Sequence, residues 1–155
     1  MTLCFAFAKR FRTSFSIPIA SIATRDNILK AESHYLSEAK RMREIVRAAQ
    51  GGPALLVIID EILSGTNSKE RIAASIRILR FMARHGCLVV AATHDRDIGL
   101  ALADVYTNVH FTHLVNGSEI EFDYALRPGI VEEGNAVKLL KWLEFPKEIT
   151  DGLGE

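Results

Sequence analysis

With 155 residues and 48% apolar side chains, the chain can bury one real core, and it reads as one domain or a large piece of one. Its 19 basic and 19 acidic residues cancel, so no global field draws it to nucleic acid or to an acidic membrane, and only a local patch could do so. No stretch approaches the ~18 uncharged apolar residues of a membrane-spanning helix, and the apolar start from Met1 to Ala8 precedes Lys9, Arg10 and Arg12, the reverse of a signal peptide.

A cytoplasmic protein is therefore expected. Cys4 and Cys87 match no metal or disulfide spacing, which suits a reducing compartment and two small buried hydrophobes. Residues 3–8 are apolar with no cap or turn ahead of them, as if an element were entered partway. Residues 15–22 alternate as a strand, and Pro18 removes one ladder donor, favouring an edge or a bulge. From 28 to 49 the pattern is helical: Ala31, Tyr35, Leu36, Ala39, Met42, Ile45 and Val46 recur at spacings of three and four, opposite Lys40, Arg41, Arg43 and Arg47. Gly51-Gly52-Pro53 ends that helix.

Leu55-Leu56-Val57-Ile58-Ile59 is an unbroken aliphatic run that ends in Asp60-Glu61. Such a run predicts a strand buried on both faces of a parallel α/β sheet, with chemistry at its carboxyl end. The loop 63–68 follows, with Ser68 expected as the cap of a helix striped by Ile72, Ala73, Ile76, Leu79 and Met82. Arg84-His85-Gly86 closes it, and 87–92 is a second buried run, ending in Thr93-His94-Asp95. Strand, helix and strand in this order predict a crossover between adjacent parallel strands, so that Asp60-Glu61 and His94 emerge at one edge. A short helix is expected at 98–103. Residues 106–115 and 118–126 read as one long hairpin about Asn116-Gly117, and 127–129 as a turn. A last helix over 133–143 ends at Phe145-Pro146, and 151–155 is expected to fray.

One carboxylate at the end of a buried strand can hold Mg²⁺, which takes few protein ligands and keeps its waters. Its neighbour can orient or deprotonate an attacking water, the division of labour called Walker B. The competing explanation is two strand-end carboxylates closing a turn. A histidine just past the adjacent strand can donate to a terminal phosphate, although a lone strand-end histidine is more often structural. Ser64-Gly65-Thr66-Asn67-Ser68 could approach a phosphate or a partner chain, or be an ordinary capping loop. No G-x-x-x-x-G-K-[ST] and no G-x-G-x-x-G occurs in the 155 residues, so the phosphate cradle of a P-loop is not encoded here.

In order along the chain, several segments resemble MutS-type mismatch repair ATPases. Residues 55–62 with Ser64-Gly65-Thr66-Asn67-Ser68 are similar to the family's LLDEIGRGT, and Ala92-Thr93-His94 to its ATH. Upstream, Asp26-Asn27 with Ser33-His34-Tyr35 and Glu38 resembles the signature segment. Downstream, Asn108-Val109-His110 and Phe122-Asp123-Tyr124-Ala125-Leu126-Arg127-Pro128-Gly129 resemble NVH and F-x-Y-x-L-x-P-G, and Ala136-Val137-Lys138 with Phe145-Pro146 resembles the helix that follows.

The resemblance implies an α/β fold of the P-loop NTPase, ABC-ATPase-like kind: a sheet with flanking helices, then a C-terminal β-hairpin and helix, truncated at the N-terminus, with 1–155 a single partial ATPase domain. It implies ATP and Mg²⁺ as cofactors, Asp60 as metal ligand, and Glu61 and His94 as the residues that activate water and sense the γ-phosphate. Ser33 would reach across a homodimer to the partner's nucleotide, and Gly65, Thr66 and Asn67 would lie in the D-loop between subunits. DNA would be bound by domains outside this chain. His34 stands where the family has Thr, Leu63-Ser64 where it has Gly-Arg, and Glu133-Gly134-Asn135-Ala136 where it has Ser-Tyr-Gly-Ile, which points to a divergent MutS-like branch. Two other functions compete: a dimerisation or regulatory fragment without turnover, and a cohesin-type ABC ATPase, whose leucine-serine-glycine-glycine signature is absent.

Overall fold

The computed structural model describes residues 16–22, 34–64, 67–116, 119–122, 124–131, 140, 142–143 and 145–150. They fall into two compact units, Met1–Ile98 and Gly99–Glu155. The apolar element at 3–8 and the start of the first helix lie outside the described residues, as does most of the helix expected at 133–143.

The first unit is mixed α/β and is built on three parallel strands, β1 (Ile17–Ile22), β2 (Leu55–Asp60) and β3 (Leu88–Ala92), in the order β1-β2-β3. The register sets Ile22 and Ala92 on either side of Asp60. Among the described residues β1 is paired only with β2, which accommodates the missing N–H of Pro18. The helices α1 (His34–Ala49) and α2 (Ser68–Arg84) pack on each other and on the sheet. Met42 and Ile45 of α1, Leu79 and Met82 of α2, and Leu55, Val57 and Ile59 of β2 form one core, each at most 4% exposed. Full burial of an aliphatic side chain is worth about 1.5–3 kcal/mol, so this cluster stabilises the described part of the unit.

The expectation that β2 is buried on both faces is corrected. Leu55, Val57 and Ile59 are buried, whereas Ile58 is 38% exposed, and its neighbours Leu88 and Val90 on β3 are 55% and 59% exposed. The cause is that α1 and α2 join one core on the odd-numbered side of β2, and among the described residues no helix covers the other side.

The cap of α2 is corrected too. Asn67, not Ser68, caps it: Asn67 has φ −55° and ψ 135°, and its Oδ1 accepts from the Lys69 amide at 3.0 Å. At the other end Gly86, at φ 71°, donates to the Ala83 carbonyl, and Cys87 donates to the Met82 carbonyl. This is a Schellman stop, and the left-handed residue in it favours glycine. The next helix, α3, runs Arg96–Ala101, two residues earlier than expected, because the Asp95 carbonyl already accepts from the Ile98 amide at 3.2 Å.

In the second unit the single long hairpin becomes two ladders. β4 (Val109–His110) pairs antiparallel with β7 (Arg127–Pro128), and β5 (His113–Asn116) with β6 (Glu119–Phe122). Two residues, 111–112, separate the ladders on the outgoing side and four, 123–126, on the return. The surplus breaks the register, and Tyr124 takes a left-handed φ of 52° within it. Asn116, expected in the turn, is strand and pairs with Glu119, and Gly117 lies outside the described residues. Arg127-Pro128, expected in a turn, is strand, and Gly129, at φ 92°, follows it with its amide donating to the Asn108 carbonyl at 2.9 Å. After Phe145-Pro146 the short helix α4 (Lys147–Thr150) follows. No helix of the described residues is long and apolar enough to cross a membrane.

Candidate functional site at the carboxyl edge of the sheet

Asp60 is the last residue of β2 and is exposed. The ladder to β3 continues one bond further, with the Glu61 amide donating to the Ala92 carbonyl at 3.1 Å. At Glu61 the chain turns sharply, with φ 55°, and Leu63 is also left-handed at 56°. Non-glycine residues hold this conformation only where their surroundings impose it, and such positions cluster at functional sites. Ile62 and Leu63 are 3% and 4% exposed, so the turn carries two side chains into the core, whereas the Glu61 side chain is 32% exposed.

Two residues past the end of β3, His94 meets that carboxylate. Its Nδ1 lies 2.9 Å from Glu61 Oε1. The Glu61 side chain is 32% exposed and that of His94 68%, so the pair faces solvent. The sheet thus brings Asp60, Glu61 and His94 to one edge, as the strand order predicts.

Behind His94 the turn is pinned. The Asp95 amide donates to Thr93 Oγ1 at 3.1 Å, and the Asp95 carboxylate accepts two hydrogen bonds from Arg71 of α2, at 3.0 and 2.9 Å. Both side chains are only 13% exposed. The hydrogen bond to Asp95 holds the Arg71 guanidinium above its ordinary range; burial opposes this, and the negative charges of Asp95 and Glu61 add to it. On the opposite side of the loop, Ser64 Oγ donates to Glu38 Oε1 of α1 at 2.9 Å.

Sequence reasoning did not anticipate the Arg71–Asp95 pair or the Ser64–Glu38 bond. One signal existed for Arg71: a cation in the first turn of a helix opposes the helix dipole and needs a partner. Ser33, Gly65 and Thr66 lie outside the described residues. Asn67 is described, and its side chain faces its own helix as the cap.

Among the described residues no three His, Cys, Asp or Glu side chains are grouped to hold a metal ion. Asp60 offers one exposed carboxylate at the strand end, a donor set that suits an ion whose remaining ligands are water and phosphate oxygens.

The chain matches the family model described as MutS domain V over residues 4–153. It is 26% identical over 137 residues to the DNA mismatch repair protein MutS of Natronomonas pharaonis, covering 86% of this chain and 16% of that protein. Against the DNA mismatch repair protein MSH3 of Cryptococcus neoformans var. neoformans it is 28% identical over 167 residues, covering 97% of this chain and 14% of that one. Against the endonuclease MutS2 of Gemmatimonas aurantiaca the identity is 26% over 130 residues, covering 84% and 16%. The chain therefore spans only a small fraction of the length of these relatives.

Proposed function

The chain belongs to the MutS family, matching its domain V over residues 4–153, and from that membership we propose that it is the Walker B part of an ABC-type, P-loop ATPase domain in a MutS-like protein of DNA mismatch repair. Asp60 is the Mg²⁺ ligand, Glu61 orients and activates the attacking water, and His94 senses the γ-phosphate of ATP. Ser33 and the loop residues Gly65, Thr66 and Asn67 face a second subunit, and DNA is bound by other parts of the protein.

One observation carries this reading: the 2.9 Å contact of His94 Nδ1 with Glu61 Oε1, beside Asp60, at the carboxyl ends of adjacent parallel strands. Open parallel sheets bind ligands at that edge. Bound there, Mg²⁺ would neutralise charge on phosphate oxygens. A carboxylate that accepts one bond from an imidazole retains lone pairs to accept one from water, so Glu61 can hold a nucleophile while His94 fixes its rotamer. Donation from Nδ1 to Glu61 and from Nε2 to a phosphate at the same time requires the doubly protonated ring.

The test joins a P-loop-bearing segment of a relative ahead of this chain and measures ATP binding and turnover. Mg²⁺-dependent hydrolysis is expected, with Glu61→Gln lowering turnover by ~10²-fold or more while ATP binding persists. Normal hydrolysis by Glu61→Gln would show that Glu61 does not activate water. Failure of the joined protein to bind ATP would favour the second reading, a dimerisation or regulatory segment without turnover.

A further inference from the structure

We propose that Arg71 is a positioning residue, whose paired hydrogen bonds to Asp95 fix the turn that carries His94 and so set its imidazole against Glu61. The functional meaning of this arrangement rests on the reading of Glu61 and His94 given above; the geometry does not.

His94 needs such a device. Its side chain is 68% exposed, so packing does not select its rotamer. Its place is set by the backbone of residues 93–95. That backbone is tied on one side by the Ala92 carbonyl, which accepts from the Glu61 amide. On the other side it is tied at Asp95. There the amide donates to Thr93 Oγ1, the carbonyl accepts from Ile98, itself 2% exposed, and the carboxylate takes the guanidinium fork. Of the ties made at Asp95, the guanidinium fork is the one that reaches α2: Thr93 belongs to the same turn and Ile98 to the helix that follows it.

The anchor is itself rigid. Arg71 sits in the first turn of α2, its amide donates to the Asn67 carbonyl at 2.9 Å, and α2 is held to the core by Leu79 and Met82. A bidentate arginine–carboxylate pair fixes angle as well as distance, which lysine does not do. At 13% exposure for both groups, removing either one strands the other away from water, and that penalty holds the pair together. Catalytic geometry is sensitive at this scale, since a displacement of about 1 Å can cost ~10²-fold in rate. Asn67 caps α2 four residues before Arg71, so the same bridge ties that cap and the His94 turn to one helix.

The test reads the His94 ring by ¹⁵N NMR in the 155-residue chain, without nucleotide. A neutral ring donating from Nδ1 to Glu61 shows the Nδ1–H tautomer, whereas a free imidazole favours Nε2–H. The Nδ1–H form is expected in the native chain and should be lost in Glu61→Ala, which establishes the signal. It should also be lost in Arg71→Gln and in Asp95→Asn, weakened in Arg71→Lys, and regained in the double variant Arg71→Asp with Asp95→Arg. Should Arg71→Gln fail to fold, Arg71→Lys and the reciprocal pair decide the matter. Retention of Nδ1–H in Arg71→Lys and Arg71→Gln, with native amide spectra and only a lower melting temperature, would overturn the proposal and leave the bridge a structural tie. A native chain already in the Nε2–H form would overturn it as well. Neither result touches the role of Glu61 in hydrolysis, which the turnover measurement reads separately.

Discussion

Glu61 and Leu63 share one backbone conformation, φ 55° and 56°, on either side of Ile62 in the turn that ends β2. They differ in burial: Leu63 is 4% exposed, and the Glu61 side chain 32%. The same substitution should therefore act with opposite sign. A left-handed L-residue costs roughly 1–2 kcal/mol, which glycine relieves. Glu61→Gly should be neutral or stabilising by about 1 kcal/mol, while removing the carboxylate that meets His94. Leu63→Gly gains the same relief but loses a core side chain, for which truncation costs about 2–5 kcal/mol, so a net loss of about 2 kcal/mol is expected. Urea midpoints of the two variants decide this. A destabilised Glu61→Gly would mean that the turn is not strained.

The cap of α2 separates two neighbouring residues. Asn67 Oδ1 accepts from the Lys69 amide, and Ser68 is exposed in the first turn. Asn67→Ala should cost about 1 kcal/mol and Ser68→Ala under about 0.5 kcal/mol. Thermal melts of the pair suffice, and equal losses would return the cap to Ser68.

The exposed side of the sheet carries Ile22, Ile58, Leu88 and Val90 on three adjacent strands. Contiguous apolar surface of this kind drives association. The chain should self-associate in sedimentation velocity, and Leu88→Lys with Val90→Lys should raise the monomer fraction without loss of helical signal. A native chain that sediments as a monomer at high concentration would contradict this.

Burial pushes the Cys87 thiol above its ordinary value of 9.0. The unfolded thiol then ionises at lower pH than the folded one. Its contribution to stability is complete below the ordinary thiol value and is lost as pH rises through the folded value. Stability should fall above about pH 9, and Cys87→Ala should flatten that fall. Alkylation of Cys87 should also be slower than that of a free thiol at the same pH. Alkaline unfolding that is identical in Cys87→Ala would exclude the thiol as its cause.

The sequence by itself determined the elements whose signal is local. The aliphatic runs 55–59 and 87–92, the stripes of three and four on both long helices, and the breakers Gly51-Gly52-Pro53 and Gly86 each act within a few residues of chain, and the strand–helix–strand order then obliged Asp60, Glu61 and His94 to share an edge. Only the tertiary structure decided what depends on register and on which face is covered. Arg71 and Asp95 are 24 residues apart, and Glu61 and His94 33. Whether such groups meet within 3 Å is set by the alignment of Asp60 with Ala92 and by the seating of α2, not by any local pattern. The same holds for the open face of β2, since a continuous apolar run looks alike whether one side is packed or two. In the second unit, Asn116-Gly117 is a strong local turn signal, yet Asn116 pairs with Glu119 as strand, because ladder register is a property of two strands and not of one.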